Sequence, residues 1–356
     1  MIEITSKNMR IWSRLGPSGA LGVAALELVE RNLNVVMLTA DLNFFSGLER
    51  FKEKYPNHVY NFGIAEQNML GAAGGLSKEG FMPFVNTYAS FASSRCADQV
   101  RVNMSYMELP VKLIGLTAGF GAGVLGATHM SIEDVAVMRS LPNITIISPA
   151  DCTEVIKCML AVAENDEPTY IRLTGPVNTP IVYKEDYNFE IGKAIELVSG
   201  TEVCMIATGS MVYESLEAAK LLEEKGVSCS VINMHTIKPV DTEILNKAIQ
   251  NYKLIVTIEE HSELGGLGGT IAEYMARYHG KAALEIIGIK DFFPHAGDYQ
   301  YQLEESGLKS FQISKRVLRR VEEIRTNVCR KGGGNFIISE KQCSFSSVKE
   351  EKKYAA

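Results

Sequence analysis

The feature that most constrains this chain is a repeated change of hydrophobic period. Short runs rich in β-branched residues, VVMLT (35–39), VKLIGLT (111–117), ITIIS (144–148), VCMIAT (203–208), SCSVINM (228–234) and LIVTIEE (254–260), alternate with longer amphipathic stretches. A strand covered on both faces reads as a continuous apolar run, and consecutive parallel strands need a crossover long enough for a helix. The alternation predicts an α/β chain with mainly parallel sheets and right-handed crossovers. LEAAKLLEEKG (216–226) reads as a helix closed by Gly226, and DTEILNKAIQN (241–251) as one opened by Asp241 at the cap.

At 356 residues the chain exceeds the usual size of one core, so two domains are expected. TGPVNTPIVYKEDYNFEIGK (174–193) has prolines and no helical period, and it divides the chain into domains at 1–180 and 190–325. Residues 326–356, with a glycine run and a charged end, read as a flexible tail. The net charge of -6 comes from intermixed acids and bases, which argues against nucleic acid and anionic membranes and for a small-molecule substrate. No apolar run is long enough to span a bilayer, and the charged N-terminus carries none, so a cytoplasmic location is expected. The 7 cysteines form no CxxC pair, which argues against disulfides and structural zinc.

The first block carries the chemistry. NFGIAEQNMLGAAGGLSKEG (61–80) puts Glu66 at a turn into a small-residue helix, and a short strand leads on to TYASFASSRCADQVR (87–101) with Tyr88 and Phe91. GATHMSIEDVAVMR (126–139) and LPNITIISPAD (141–151) follow, and the second block ends in VTIEEHSELGGLGGTIAEYM (256–275) and GIKDFFPHAGDYQ (288–300). Together these segments resemble the transketolases and 1-deoxyxylulose-5-phosphate synthases over roughly residues 10–325. The resemblance implies a thiamine-diphosphate pyrimidine-binding domain followed by a transketolase C-terminal-like domain. It also implies transfer of a two-carbon unit from a ketose or 2-oxo-acid donor to an aldehyde or aldose acceptor, in carbohydrate metabolism.

In that family a carboxylic acid on the aminopyrimidine nitrogen favours the imino tautomer that deprotonates the thiazolium carbon. Glu66 matches this acid, and an apolar neighbourhood with Ile64 and Met69 would disfavour an isolated carboxylate. Tyr88 and Phe91 match aromatic surface for the pyrimidine ring. Asp41, after the strand VVMLT, faces the cofactor by resemblance, with a helix cap as its alternative. His129, just before a capping box read at Ser131 and Asp134, matches an imidazole that holds or moves protons on the donor. Arg172 in TYIRLTG matches a sugar-phosphate contact, with an ordinary ion pair as its alternative. His261 is read either at the mouth of the site or in a loop role.

The sequence also departs from the family. Leu125, in GAGVLG (121–126), stands where relatives carry an aspartate that binds donor hydroxyls. Thr117 replaces a substrate-gripping histidine, and Phe45 lies near the position of a phosphate-contacting serine. An apolar channel suits pyruvate, and hence a decarboxylating deoxyketose synthase. No Gly-Asp-Gly motif is present, so no metal ligands are expected in this chain. The resemblance then implies a separate N-terminal transketolase-like subunit that carries that motif, Mg2+ and the diphosphate, in an α2β2 heterotetramer.

Two readings compete. Gly121, Gly123 and Gly126 satisfy the GxGxxG fingerprint of an NAD-dependent dehydrogenase, with Asp151 at the next strand end. A true fingerprint starts its helix within the glycines, whereas the cap signal here is Ser131. A non-catalytic regulatory or scaffold subunit is the other alternative, supported by Leu125 and Thr117 and opposed by Glu66 with its aromatic pair.

Overall fold

The apolar runs become buried strands because helices cover both faces of each sheet. A computed structural model describes residues 2–32, 34–278, 280 and 282–331. Its strands are β1 (Val35–Thr39), β2 (Val59–Asn61), β3 (Met82–Tyr88), β4 (Lys112–Ala118), β5 (Thr145–Ile147) and β6 (Thr169–Thr174), then β7 (Ile195–Val198), β8 (Val203–Ala207), β9 (Cys229–Asn233), β10 (Thr236–Lys238), β11 (Leu254–Ser262) and β12 (Ala283–Ile289). The first sheet has the order β10-β5-β6-β4-β3-β1-β2 and the second β12-β11-β8-β9-β7. Among the described residues, pairing is parallel except for β10 with β5 and β7 with β9. This is the expected α/β chain with two mainly parallel sheets.

The two-residue period of a strand explains how β1 is buried on both sides. Val35 and Met37 pack with Leu21, Leu28 and Ile156, from the helices Ser6–Arg31 and Cys152–Val162. Val36 and Leu38 face the other way, onto Leu70, Val100 and Met104. Helix Thr242–Asn251 opens as expected, with Asp241 accepting from the Glu243 and Ile244 N–H groups. Gly226, at φ 74, follows the helix Met211–Glu223.

Three details lie beyond that reading. SCSVINM supplies β9, and the chain continues into β10, which leaves the second sheet and pairs antiparallel with β5 of the first. The segment after β6 is strapped down: Asp151 accepts from Val182 N at 2.9 Å and Tyr183 N at 3.1 Å, and Glu154 accepts from the Tyr183 and Tyr187 hydroxyls at 3.1 Å each. The helix Ser310–Lys331 runs past the tail boundary drawn at 325, and the remainder of the tail, 332–356, lies outside the described residues.

Arg172 is also placed differently from the expectation of a phosphate contact. It is 1% exposed, and its Nε donates to Asp134 Oδ2 at 2.8 Å. One terminal nitrogen donates to Ser131 O at 3.2 Å and to Glu260 O, on β11, at 2.8 Å. These bonds make a joint that ties β6 to the segment after β4 and to the second domain. The same joint removes the expected capping box, because Asp134 turns inward to Arg172 and to the Tyr170 hydroxyl, and Ser131 Oγ has no partner. Burial, the largest single influence, works to raise the Asp134 pKa, but the Arg172 charge, neighbouring His261 and the hydrogen bonds from Arg172 and Tyr170 together outweigh it and hold the carboxyl below its ordinary value.

Removing one member of a buried pair strands the other charge. Arg172→Ala is expected to lower unfolding free energy in urea by about 3–5 kcal/mol at neutral pH. A depressed carboxylate contributes stability above its unfolded pKa and loses it as pH falls through the folded one. The gap between wild type and variant should therefore narrow on acidification through the carboxylate range. Equal stability at neutral pH would show that this pair does not hold the joint.

Candidate active site

In a parallel sheet the loops at the carboxyl ends of the strands line the ligand cleft. Asp41 follows β1, Glu66 lies beyond β2, Tyr88 ends β3, and His129 is on the segment after β4. The structure brings all four, with Phe91, around one cavity of about 170 Å³.

Glu66 begins the helix Glu66–Lys78 and is 3% exposed. Its neighbourhood is less apolar than expected, since Arg95 donates to Glu66 Oε1 at 2.7 Å and Ile64 is 78% exposed. Arg95 was not found from the sequence, and its placement depends on a wide π-helical turn over Phe91–Arg95. With the Cys96 N–H bonded to Phe91 O at 3.1 Å, residues four apart share a face, and the Arg95 guanidinium stacks 4.0 Å from the Phe91 ring centre. Gly74, on the Glu66 helix, lets the next π-helical segment, Val100–Tyr106, approach: a Cβ there would lie 2.9 Å from Asn103 Oδ1.

The rings of Tyr88, Phe91 and His129 form an edge-to-face cluster, with centres 5.9 Å apart for Tyr88–Phe91, 5.6 Å for Tyr88–His129 and 5.3 Å for Phe91–His129. Burial pushes the Tyr88 phenol pKa up. His129 Nδ1 lies 3.0 Å from Thr128 Oγ1. Asp41 is not a helix cap: the next helix starts at Glu49, behind Leu48. It takes a left-handed φ of 59 and is locked by Asn61, whose Oδ1 accepts from Asp41 N at 2.9 Å and whose Nδ2 donates to Asp41 Oδ1 at 3.2 Å. Asn61 is a second residue missed from the sequence; an Asn-x-Gly turn just before the acid was the available signal.

Leu125 sits on the short turn Gly123–Leu125, 52% exposed and outside the lining of this cavity. Arg172 stays in the joint described above. His261 is buried against the helix Asp134–Arg139, its Nε2 accepting from Ala136 N at 3.4 Å, and so does not reach the mouth. No α-helix starts within Gly121, Gly123 and Gly126, where the chain makes only the single 3-10 turn Gly123–Leu125, and Asp151 is the buried cap of Cys152–Val162. The dehydrogenase reading therefore lacks its phosphate-binding helix terminus. A larger cavity of about 600 Å³, beside Pro176 and Tyr299, contains none of the five clustered residues.

One buried carboxylate among aromatic faces fits the pyrimidine end of thiamine diphosphate. The cavity is smaller than the roughly 300–1,000 Å³ of a complete ligand pocket, so it suits one ring of that cofactor and not the whole.

Comparison with known proteins agrees with this division. Residues 18–176 match the transketolase pyrimidine binding domain, and 192–313 match the transketolase C-terminal domain. The chain is 37% identical to a putative transketolase C-terminal section of Methanocaldococcus jannaschii, over 85% of this chain and 95% of that protein. It is 36% identical to a 6-deoxy-6-sulfo-D-fructose transketolase subunit of a Clostridium species, over 84% of this chain and 91% of the relative. A split gene transketolase, solved as an inactive β4 tetramer, superposes with a TM-score of 0.76 at 35% identity, covering 85% of this chain and 97% of that one. This chain belongs to the transketolase family and has the pyrimidine-binding and C-terminal domains of its split members.

Proposed function

We propose that this chain is the pyrimidine-side subunit of a two-chain, cytoplasmic, thiamine-diphosphate-dependent enzyme that transfers a two-carbon unit to an aldehyde or aldose acceptor. The observation that carries the reading is the convergence of Asp41, Glu66, Tyr88, Phe91 and His129 on a cavity sized for half a cofactor. The likeness to subunits of split transketolases supports it. A partner subunit with the Gly-Asp-Gly motif would hold Mg2+ and the diphosphate, in an α2β2 assembly.

Thiamine diphosphate, when bound, supplies the carbon nucleophile that this chain's side chains lack. Glu66 holds a proton at the pyrimidine nitrogen, and Arg95 fixes one of its carboxyl oxygens in place. Tyr88 and Phe91 present ring faces and edges that keep water from that contact. His129, at the rim of the same aromatic cluster, moves a proton to or from a donor oxygen. Asp41, held by Asn61, closes the side of the cavity formed by β1.

The purified chain with thiamine diphosphate and magnesium should show no turnover until the partner is added. Turnover by this chain alone would contradict the reading, and no turnover by the assembled complex would favour a regulatory subunit. In the assembled complex Glu66→Gln should keep the fold and slow hydrogen exchange at the thiazolium carbon on the order of a hundredfold. An unchanged exchange rate would remove Glu66 from the role.

A second donor class is favoured by Leu125 and Phe45, apolar side chains 52% and 58% exposed at positions where the family resemblance implies polar contacts. A donor hydroxyl left unpaired once the partner covers this surface costs roughly 1–3 kcal/mol. Pyruvate has no such hydroxyl and loses carbon dioxide to give the two-carbon unit. Leu125→Asp should shift preference toward ketose phosphates by roughly tenfold. The measurement compares carbon-dioxide release from pyruvate with transfer from xylulose 5-phosphate, and an unchanged ratio would reject a donor role for this turn.

A further inference from the structure

We infer that Glu260 is a positioning residue for His129: reaching across from the second domain, its carboxylate seats the loop that carries the imidazole into the cavity. The inference rests on the reading of the cavity proposed above and adds a residue outside it, since Glu260 is not part of the cavity lining.

His129 belongs to a loop closed at its neck by two backbone bonds, Gly119 N to Ser131 O at 2.8 Å and Ser131 N to Gly119 O at 3.3 Å. Just inside the neck, Phe120 N donates to Glu260 Oε1 at 2.6 Å. The other carboxyl oxygen accepts from the Tyr299 hydroxyl at 2.5 Å and from the Ser210 hydroxyl. Glu260 is 1% exposed, so three protein donors converge on two oxygens without help from bulk water. The Phe120 N–H requires an acceptor at this position, whereas the two hydroxyls could also accept.

Steric fit points the same way. Gly119 has a φ of +65, and a Cβ there would come within 2.2 Å of Glu260 Oε1, so the carboxylate and the bare glycine are matched. A second fastening comes from Gln302, whose Nε2 donates to Gly123 O at 3.2 Å and to His295 O at 2.9 Å. Gly123 has no room for a side chain, because a Cβ would meet Gln302 Oε1 at 1.6 Å. The bonds inside the loop are short-range, His129 N and Met130 N both donating to Gly126 O. These hold the loop's internal shape. Its seating against Tyr88 and Phe91 is left to the neck and to the second domain.

Two variants in the full-length chain and its assembled complex separate positioning from bulk stability. Glu260→Gln keeps a carbonyl oxygen for Phe120 N–H and an NH2 group that either hydroxyl can accept, whereas Glu260→Ala removes every acceptor. Where the alanine variant does not fold, Glu260→Asp, which shortens the reach, takes its place. The first measurement is the NMR shift of the His129 ring protons, which the neighbouring aromatic rings displace and which is identified by its loss in His129→Ala. Alanine should move it toward the value of an exposed imidazole, and glutamine should leave it in place. The second is a double-mutant cycle on transfer in the complex. Glu260→Ala should lower kcat on the order of tenfold with KM little changed, the size of one lost charge-assisted bond, and should cost nothing further on a His129→Ala background. Unmoved ring signals, or losses that add across the cycle, overturn the inference. If the wild-type complex shows no transfer at all, the functional reading fails while the ring signals still decide whether Glu260 seats His129.

Discussion

The structure depends on where one guanidinium spends its donors. Arg172 is out of contact with water, and a buried charge is tolerable only when its hydrogen-bonding groups are matched. Asp134 supplies the countercharge, and the carbonyls of Ser131 and Glu260 accept from one terminal nitrogen. The partners lie in different parts of the chain, so satisfying Arg172 also sets the second domain against the carboxyl edge of the first sheet. The aromatic cluster and the buried acid lie along that same edge.

The alternation of periods was enough to read the α/β class, because a strand covered on both faces leaves a continuous apolar run whatever its neighbours. Glu66, Tyr88, Phe91, His129 and Asp41 were legible as a group through family motifs, and they do meet in one cavity. For Arg172 the sequence left a phosphate contact and an ion pair both open, and the ion pair is what forms, with Asp134: an arginine at a strand end looks the same whether it faces a cleft or an internal acid. The deciding signal was present in period two. Tyr170 and Arg172 share a face of β6, and both bond to the same oxygen of Asp134. Arg95 and Asn61 were hidden because their placement rests on a π-helical turn and on a loop amide, neither of which leaves a periodic trace.

Large apolar side chains stay exposed on two of the loops that reach the cavity, those carrying Asp41 and Glu66. Phe44, Phe45 and Ile64 are 68%, 58% and 78% exposed, although each belongs to a residue type that normally favours the interior. Exposed aromatic and aliphatic side chains of this kind fit the proposed partner subunit, which would cover them.

The crossing of β10 has a consequence for how the chain is made. The first sheet is not finished when its own domain has been synthesised, because the strand that covers the outer edge of β5 arrives only with residues 236–238. On the ribosome, β5 waits with unpaired backbone groups while most of the second domain's early strands emerge, a period in which an open edge invites pairing with other nascent chains. A gene encoding this chain could not be divided at the segment between its domains without leaving one product with a raw sheet edge and the other with a strand that has no sheet.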